Sequence, residues 1–109
     1  MAGKKKKKTT LNSRQQRFLR SLAHHLPVKA TVGKEGITDQ VLNSLNEVID
    51  ANELVKIKLQ ENFPHDRKEG GKLLATETGT ALVQVIGRMV ILYRGNDDLP
   101  IDKRIDLPK

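Results

Sequence analysis

The chain has 109 residues, 37% of them hydrophobic, and no cysteine, which allows one modest core in one domain and excludes disulfides and zinc–thiolate sites. The formal net charge is +7, of which Lys4 to Lys8 carry five, so the body is only mildly basic. No apolar run approaches the roughly 18 residues of a membrane helix, and no apolar stretch of a signal peptide follows the charged N-terminus, so a cytoplasmic protein with no membrane partner is expected.

Residues 1–10 (MAGKKKKKTT) hold nothing to bury and read as a disordered lysine-rich tail. A first helix is predicted from Ser13 to Leu26, with Ser13 and Gln16 as a capping box and Pro27 as its stop. Helical spacing puts Phe18, Leu19, Leu22, Ala23 and Leu26 on one stripe, and Arg14, Arg17, Arg20 and His24 on the other side. Val28 to Val32 alternates as a strand. Gly33-Lys34-Glu35-Gly36 follows as a tight loop, and Thr38 caps a second helix from Asp39 to Ala51. Glu53 to Gln60 reads as a second strand, with Val55, Ile57 and Leu59 on one face and Lys56, Lys58 and Gln60 on the other. A strand–helix–strand unit of this length favours parallel pairing. A third helix is predicted from Lys68 to Thr78 with Gly79 as its C-cap, although Gly70 and Gly71 each weaken it by about 1 kcal/mol. Ala81 to Ile86 and Met89 to Arg94 form a hairpin across Gly87-Arg88. The remainder, rich in turn residues and carrying two prolines, reads as an extended tail.

Acidic and basic residues are unevenly placed. From Leu11 to Lys34 there are five basic residues (Arg14, Arg17, Arg20, Lys29 and Lys34) and no acid, whereas Glu35 to Asp66 holds seven acids and two lysines. The pattern predicts one basic face on an otherwise acidic body. Enzyme signatures are missing. Neither the glycine pattern of a dinucleotide site nor a nucleophile elbow occurs, and Leu73 follows Lys72 where a P-loop needs Ser or Thr. His24 and His25 are adjacent on a helix and point about 100° apart, so they do not chelate one metal together. With three aromatics there is no stacking platform, so any nucleic-acid binding rests on backbone amides and cations. The Gly33–Gly36 loop offers that mechanism. Its glycines allow a phosphate to approach closely, and it leads into a helix N-terminus with free N–H groups, while Lys34 adds a cation. Glu35 and Asp39 oppose an anion there, and an ordinary strand-to-helix turn has the same pattern.

Six segments in order resemble stand-alone bacterial CRM-domain proteins of the YhbY type. They are Leu22-Ala23-His24, Val32 to Thr38, Glu53 to Lys58, Glu77-Thr78-Gly79, Val83 to Gly87 and Leu92-Tyr93-Arg94. The resemblance spans residues 11–96 and leaves both tails unmatched. The pair Gly70-Gly71 also departs from it, standing where the family shows a continuous helix. The resemblance implies an α-β-α-β-α-β-β domain similar to the C-terminal domain of bacterial translation initiation factor 3. It also implies RNA binding, association with precursor large ribosomal subunits and no cofactor. It assigns RNA contact to Gly33, Lys34, Glu35 and Gly36, and a late motif to Tyr93, Arg94 and Gly95.

The expectation is therefore an α+β domain over residues 11–96, two layers with a four-stranded mixed sheet, between a disordered tail (1–10) and an extended one (97–109). The expected function is non-enzymatic binding of ribosomal RNA, with no metal and no small-molecule substrate. The expected contacts are the Gly33–Gly36 loop, Arg14, Arg17, Arg20 and Lys29, with Arg88 and Arg94 extending the patch. Two alternatives remain open from the residues: a protein-interaction module on the ribosome acting through the second helix, and a duplex-DNA binder like the Alba proteins.

Overall fold

The computed structural model describes residues 10–109, so the lysine run Lys4 to Lys8 lies outside the described residues. The elements are α1 (Ser13–Ala23), β1 (Val28–Val32), α2 (Asp39–Asn52), β2 (Leu54–Leu59), α3 (Arg67–Thr78), β3 (Ala81–Ile86) and β4 (Met89–Tyr93), followed by a 3-10 turn, Ile101–Lys103. The sheet order is β1-β2-β4-β3, with β1 parallel to β2 and the other pairs antiparallel. Element order, α+β class and mixed four-stranded sheet follow the sequence expectation.

The layering is fuller than the two layers expected. Along β2, Leu54 packs with α1 while Val55, Ile57 and Leu59 pack with α2 and α3. Along β4, Ile91 and Tyr93 face α1, and Val90 and Leu92 face the other way. Strand alternation thus sends apolar side chains to both sides. The larger cluster joins those residues to Val32, Leu45, Ile49, Phe63, Leu74 and Ala75. Each large side chain buried there contributes roughly 1.5–3 kcal/mol. The smaller cluster is built on Leu19 and Ala23 of α1, with Leu54, Val83, Ile91 and Tyr93.

Caps set the helix ends. Asn12, one residue before the expected Ser13, caps α1: its side chain accepts from the Gln15 N–H at 2.8 Å and Gln15 reciprocates at 3.0 Å. The helix closes at Ala23, short of Pro27, and Leu22, expected on the core stripe, is exposed. Thr38 caps α2 by accepting from the Val41 N–H, and Gly79 ends α3 in the left-handed region. Helix α3 runs unbroken through Gly70 and Gly71. A β-carbon on Gly70 would sit 2.5 Å from the Phe63 ring, and one on Gly71 would sit 2.8 Å from Val85. The glycines buy close helix–sheet approach at the cost of helix propensity.

The chain after β4 is docked rather than free. Glu53 is 2% exposed, and its carboxylate accepts from the Asn96 N–H at 2.7 Å and the Ile105 N–H at 2.5 Å. The Arg104 guanidinium donates to the Leu99 and Asp97 carbonyls. Ile105 and Leu107 then extend the α1 cluster, and the Gln15 amide donates to the Pro108 carbonyl at 2.9 Å.

Candidate nucleic-acid interface

Strand direction collects several loops at one end of the sheet. The Gln60 N–H donates to the Val32 carbonyl, and the Leu59 N–H donates to the Arg88 carbonyl. The loop after β1, the segment after β2 and the β3–β4 turn therefore lie side by side. The Gly33–Gly36 loop is closed by the Gly36 N–H donating to the Gly33 carbonyl at 3.0 Å. Gly36 is buried with φ +73°, a conformation that favours glycine, and a β-carbon there would lie a tight 3.1 Å from Pro64. At Gly33 a β-carbon would clash with the movable end of Gln60 and touch Asn62 at ordinary distance. Between the two glycines, Lys34 and Glu35 stand exposed at the tip.

Arg88 sits at the same end. Its one ion pair, with Glu61 at 3.7 Å, joins two exposed side chains, contributes little and leaves the guanidinium available. Lys58, Gln60, Glu61, Asn62 and Arg88 line a shallow depression beside the loop.

Along α1, Arg14, Arg17 and Arg20 are all exposed. Arg17, Arg20, Ser21, His24 and His25 border a cleft of about 380 Å³ that also involves Gln84 and Ile86 of β3. The arginines thus overlook β3, one edge of the sheet, while the glycine loop extends β1, the other edge. Three strand spacings, roughly 14 Å, separate these edges. Lys29 is exposed where the β1–β2 register shifts.

The late motif is placed differently. Tyr93 pairs with Leu54 at the opposite end of β4 from Arg88. Tyr93 is buried, and its phenol is pushed above its ordinary pKa, first by burial and then by the Glu53 and Asp97 carboxylates. The Arg94 guanidinium donates to the Asp50 carboxylate at 2.6 Å, to Asn46 at 3.1 Å and to the Thr78 carbonyl. Gly95 lets the chain pass over the Tyr93 hydroxyl, which lies 3.1 Å from where a β-carbon would be. These three residues bind the sheet end to α2, α3 and the C-terminal segment.

Two further cations belong with the arginines. Lys56 and Lys58 alternate with the buried Val55, Ile57 and Leu59 and so lie on the α1 face of the sheet. Their alternation was visible in the sequence, but only the position of α1 shows which face it reaches. The sequences of α1 and all four strands contain neither Asp nor Glu. Among the described residues, no group of three or more His, Cys, Asp or Glu is placed to hold a metal, and no helix is long and apolar enough to cross a membrane.

This architecture has close relatives. The CRS1/YhbY (CRM) domain model matches residues 11–94. Probable RNA-binding protein YqeI of Bacillus subtilis is 36% identical over 98 residues, which cover 90% of this chain and 99% of that protein. A Haemophilus influenzae protein named RNA-binding protein is 33% identical over 101 residues, covering 93% and 98%. The solution structure of the hypothetical protein SAV1595 from Staphylococcus aureus matches with a TM-score of 0.75 at 34% identity, covering 91% of this chain and all of that one. The chain belongs to the CRS1/YhbY (CRM) domain family.

Proposed function

We propose that this protein binds RNA without catalysing a reaction, and that its ligand is ribosomal RNA in precursor large ribosomal subunits. The observation that carries the RNA reading is that α1 and the strands bring cations and no Asp or Glu to the face they share, with an exposed lysine on a glycine-framed loop at its rim. Relatives that match along nearly their whole length carry RNA-binding names, which supports the same reading. The narrower assignment to ribosomal RNA rests on the family resemblance.

In this reading the tip of the Gly33–Gly36 loop meets a phosphate through Lys34 and the approachable backbone, with Glu35 turned to solvent. Arg14, Arg17, Arg20, Lys29 and Arg88 neutralise further phosphates. Tyr93, Arg94 and Gly95 serve the site at one remove, by fixing the far end of β4.

The test is a salt titration of binding to ribosomal RNA fragments, with DNA of matched sequence as competitor. Four to six phosphate contacts give a log–log slope of roughly −3 to −5, and Arg17→Ala with Lys34→Ala reduces its magnitude by about 2. A slope unchanged by the double substitution, with association to ribosomal particles intact, points to a protein-binding module. Equal affinity for matched duplex DNA points to a general nucleic-acid binder.

A further inference from the structure

Helix α1 covers only part of its sheet face. It packs on Leu54, Val83, Ile91 and Tyr93, toward the end away from the glycine loop. The uncovered row nearer the loop is set by strand register: Thr31 beside Lys58, Lys58 beside Met89, and Met89 beside Ile86. Thr31 and Lys58 are exposed, Met89 is half-buried, and Ile86, beside it, is 57% exposed.

The row runs from the edge that carries Lys34 to the edge overlooked by Arg17 and Arg20. Its composition is graded, with a hydroxyl and an ammonium near β1 and two apolar side chains near β3. No carboxylate belongs to the strands that form it or to the helix beside it; Glu61, just past β2, lines the depression next to Lys58 and is paired with Arg88. A protein partner with an acidic surface would fit the cations but would leave Ile86 and Met89 without a reason. A duplex would meet the cations through its phosphates, yet its bases stay stacked inside and do not reach a flat apolar floor.

We propose that this row seats an unpaired stretch of RNA, its phosphates toward Lys58 and the α1 arginines and a splayed base laid on Ile86 and Met89. The inference rests on the RNA-binding reading and adds to it the strandedness of the ligand. Apolar contact with a base face is indifferent to base identity, so the row selects for single strands without selecting sequence.

The experiment uses the full-length chain and a labelled, unstructured 12-nucleotide uridine-rich RNA, with the same RNA annealed to its complement as comparison. The wild type is expected to prefer the single strand. Ile86→Ser lowers single-strand affinity by about fivefold without altering the salt slope, because no charge is lost, and leaves the duplex unaffected. Ile86→Phe strengthens single-strand binding severalfold by enlarging the floor. Lys58→Gln weakens binding to either form and reduces the magnitude of the slope by about 1. An unchanged melting temperature for each variant shows that the fold is intact. If RNA binds but both Ile86 variants behave as wild type, or if duplex is preferred, the seat is refuted while the RNA-binding reading stands. If the wild type binds neither RNA, both fail.

Discussion

The two faces of the sheet are built from the same four strands and have been put to different uses. On the α2 and α3 side every inward side chain of β2 and β4 is buried, and the helices above carry the acids Asp39, Glu47, Asp50, Glu69 and Glu77. On the α1 side a short helix covers part of the surface and carries no acid, nor do the strands beneath it, and the docked segment that borders it adds the exposed Asp106. Stability and binding have been separated by strand alternation: at successive residues of β2, Val55 holds the core and Lys56 is left for the surface. A one-residue register slip would exchange the two roles, which explains why the register needs so many apolar anchors.

The largest effect should come from damaging the covered face. Leu74, on the inward face of α3, is fully buried, and Leu74→Ala should destabilise the domain by about 2–5 kcal/mol. Leu22→Ala, on the exposed side of α1, should stay within roughly 0.5 kcal/mol. Urea unfolding of both variants checks the contrast, and similar losses would mean that the two faces are not energetically distinct.

Next comes the anchor at the far end. Glu53 has φ +65°, a left-handed conformation costly for any residue but glycine, and it is held there by the two N–H groups its carboxylate receives. Glu53→Ala should cost about 3 kcal/mol and expose residues 97–109 to proteolysis. Glu53→Gly should recover roughly 1 kcal/mol of that loss through backbone relief while leaving the segment equally sensitive. Protection of the segment in either variant would show that Glu53 is not its anchor.

The smallest effect, seen only as a pH dependence in the alkaline range, concerns Tyr93. Its phenol titrates higher in the folded protein than in the unfolded chain, so the native state holds this proton more tightly. The associated stability is complete below the unfolded value of about 10 and is lost as pH rises through the folded value. This is the chain's single tyrosine, so the tyrosinate absorbance reports it alone. A midpoint above that of the urea-unfolded chain is expected, and coincident midpoints would contradict the burial argument. Tyr93→Phe should flatten the alkaline limb of the stability profile.

Most of the fold was legible because its signals are local. The alternation of Val28 to Val32, the Thr38 cap, the Gly79 stop and the two-residue turn at Gly87-Arg88 each dictate backbone geometry over a few residues. What the sequence concealed depends on distant packing. Gly70 and Gly71 read as helix weakeners, and only Phe63 and Val85 pressed against them reveal why they are there. Residues 97–109 read as a tail because their anchors are distant in sequence: Ile105 bonds Glu53, 52 residues earlier, and Pro108 bonds Gln15, 93 residues earlier. The candidate site divides the same way. The glycine loop and the α1 arginines were visible as motifs. The inward bonding of Arg94 depends on Asn46, Asp50 and Thr78, and the openness of the Lys58 row depends on where α1 stops.

The bond from Gln15 to Pro108 joins the first helix to the last residues, and Leu11 and Leu107 share the α1 cluster. The folded path therefore enters and leaves at neighbouring points, like the two ends of a closed loop. Such a unit fits between two residues of another protein's surface loop without pulling on its own sheet. Its ends are also close enough to be bridged by a short flexible linker and the ring reopened elsewhere.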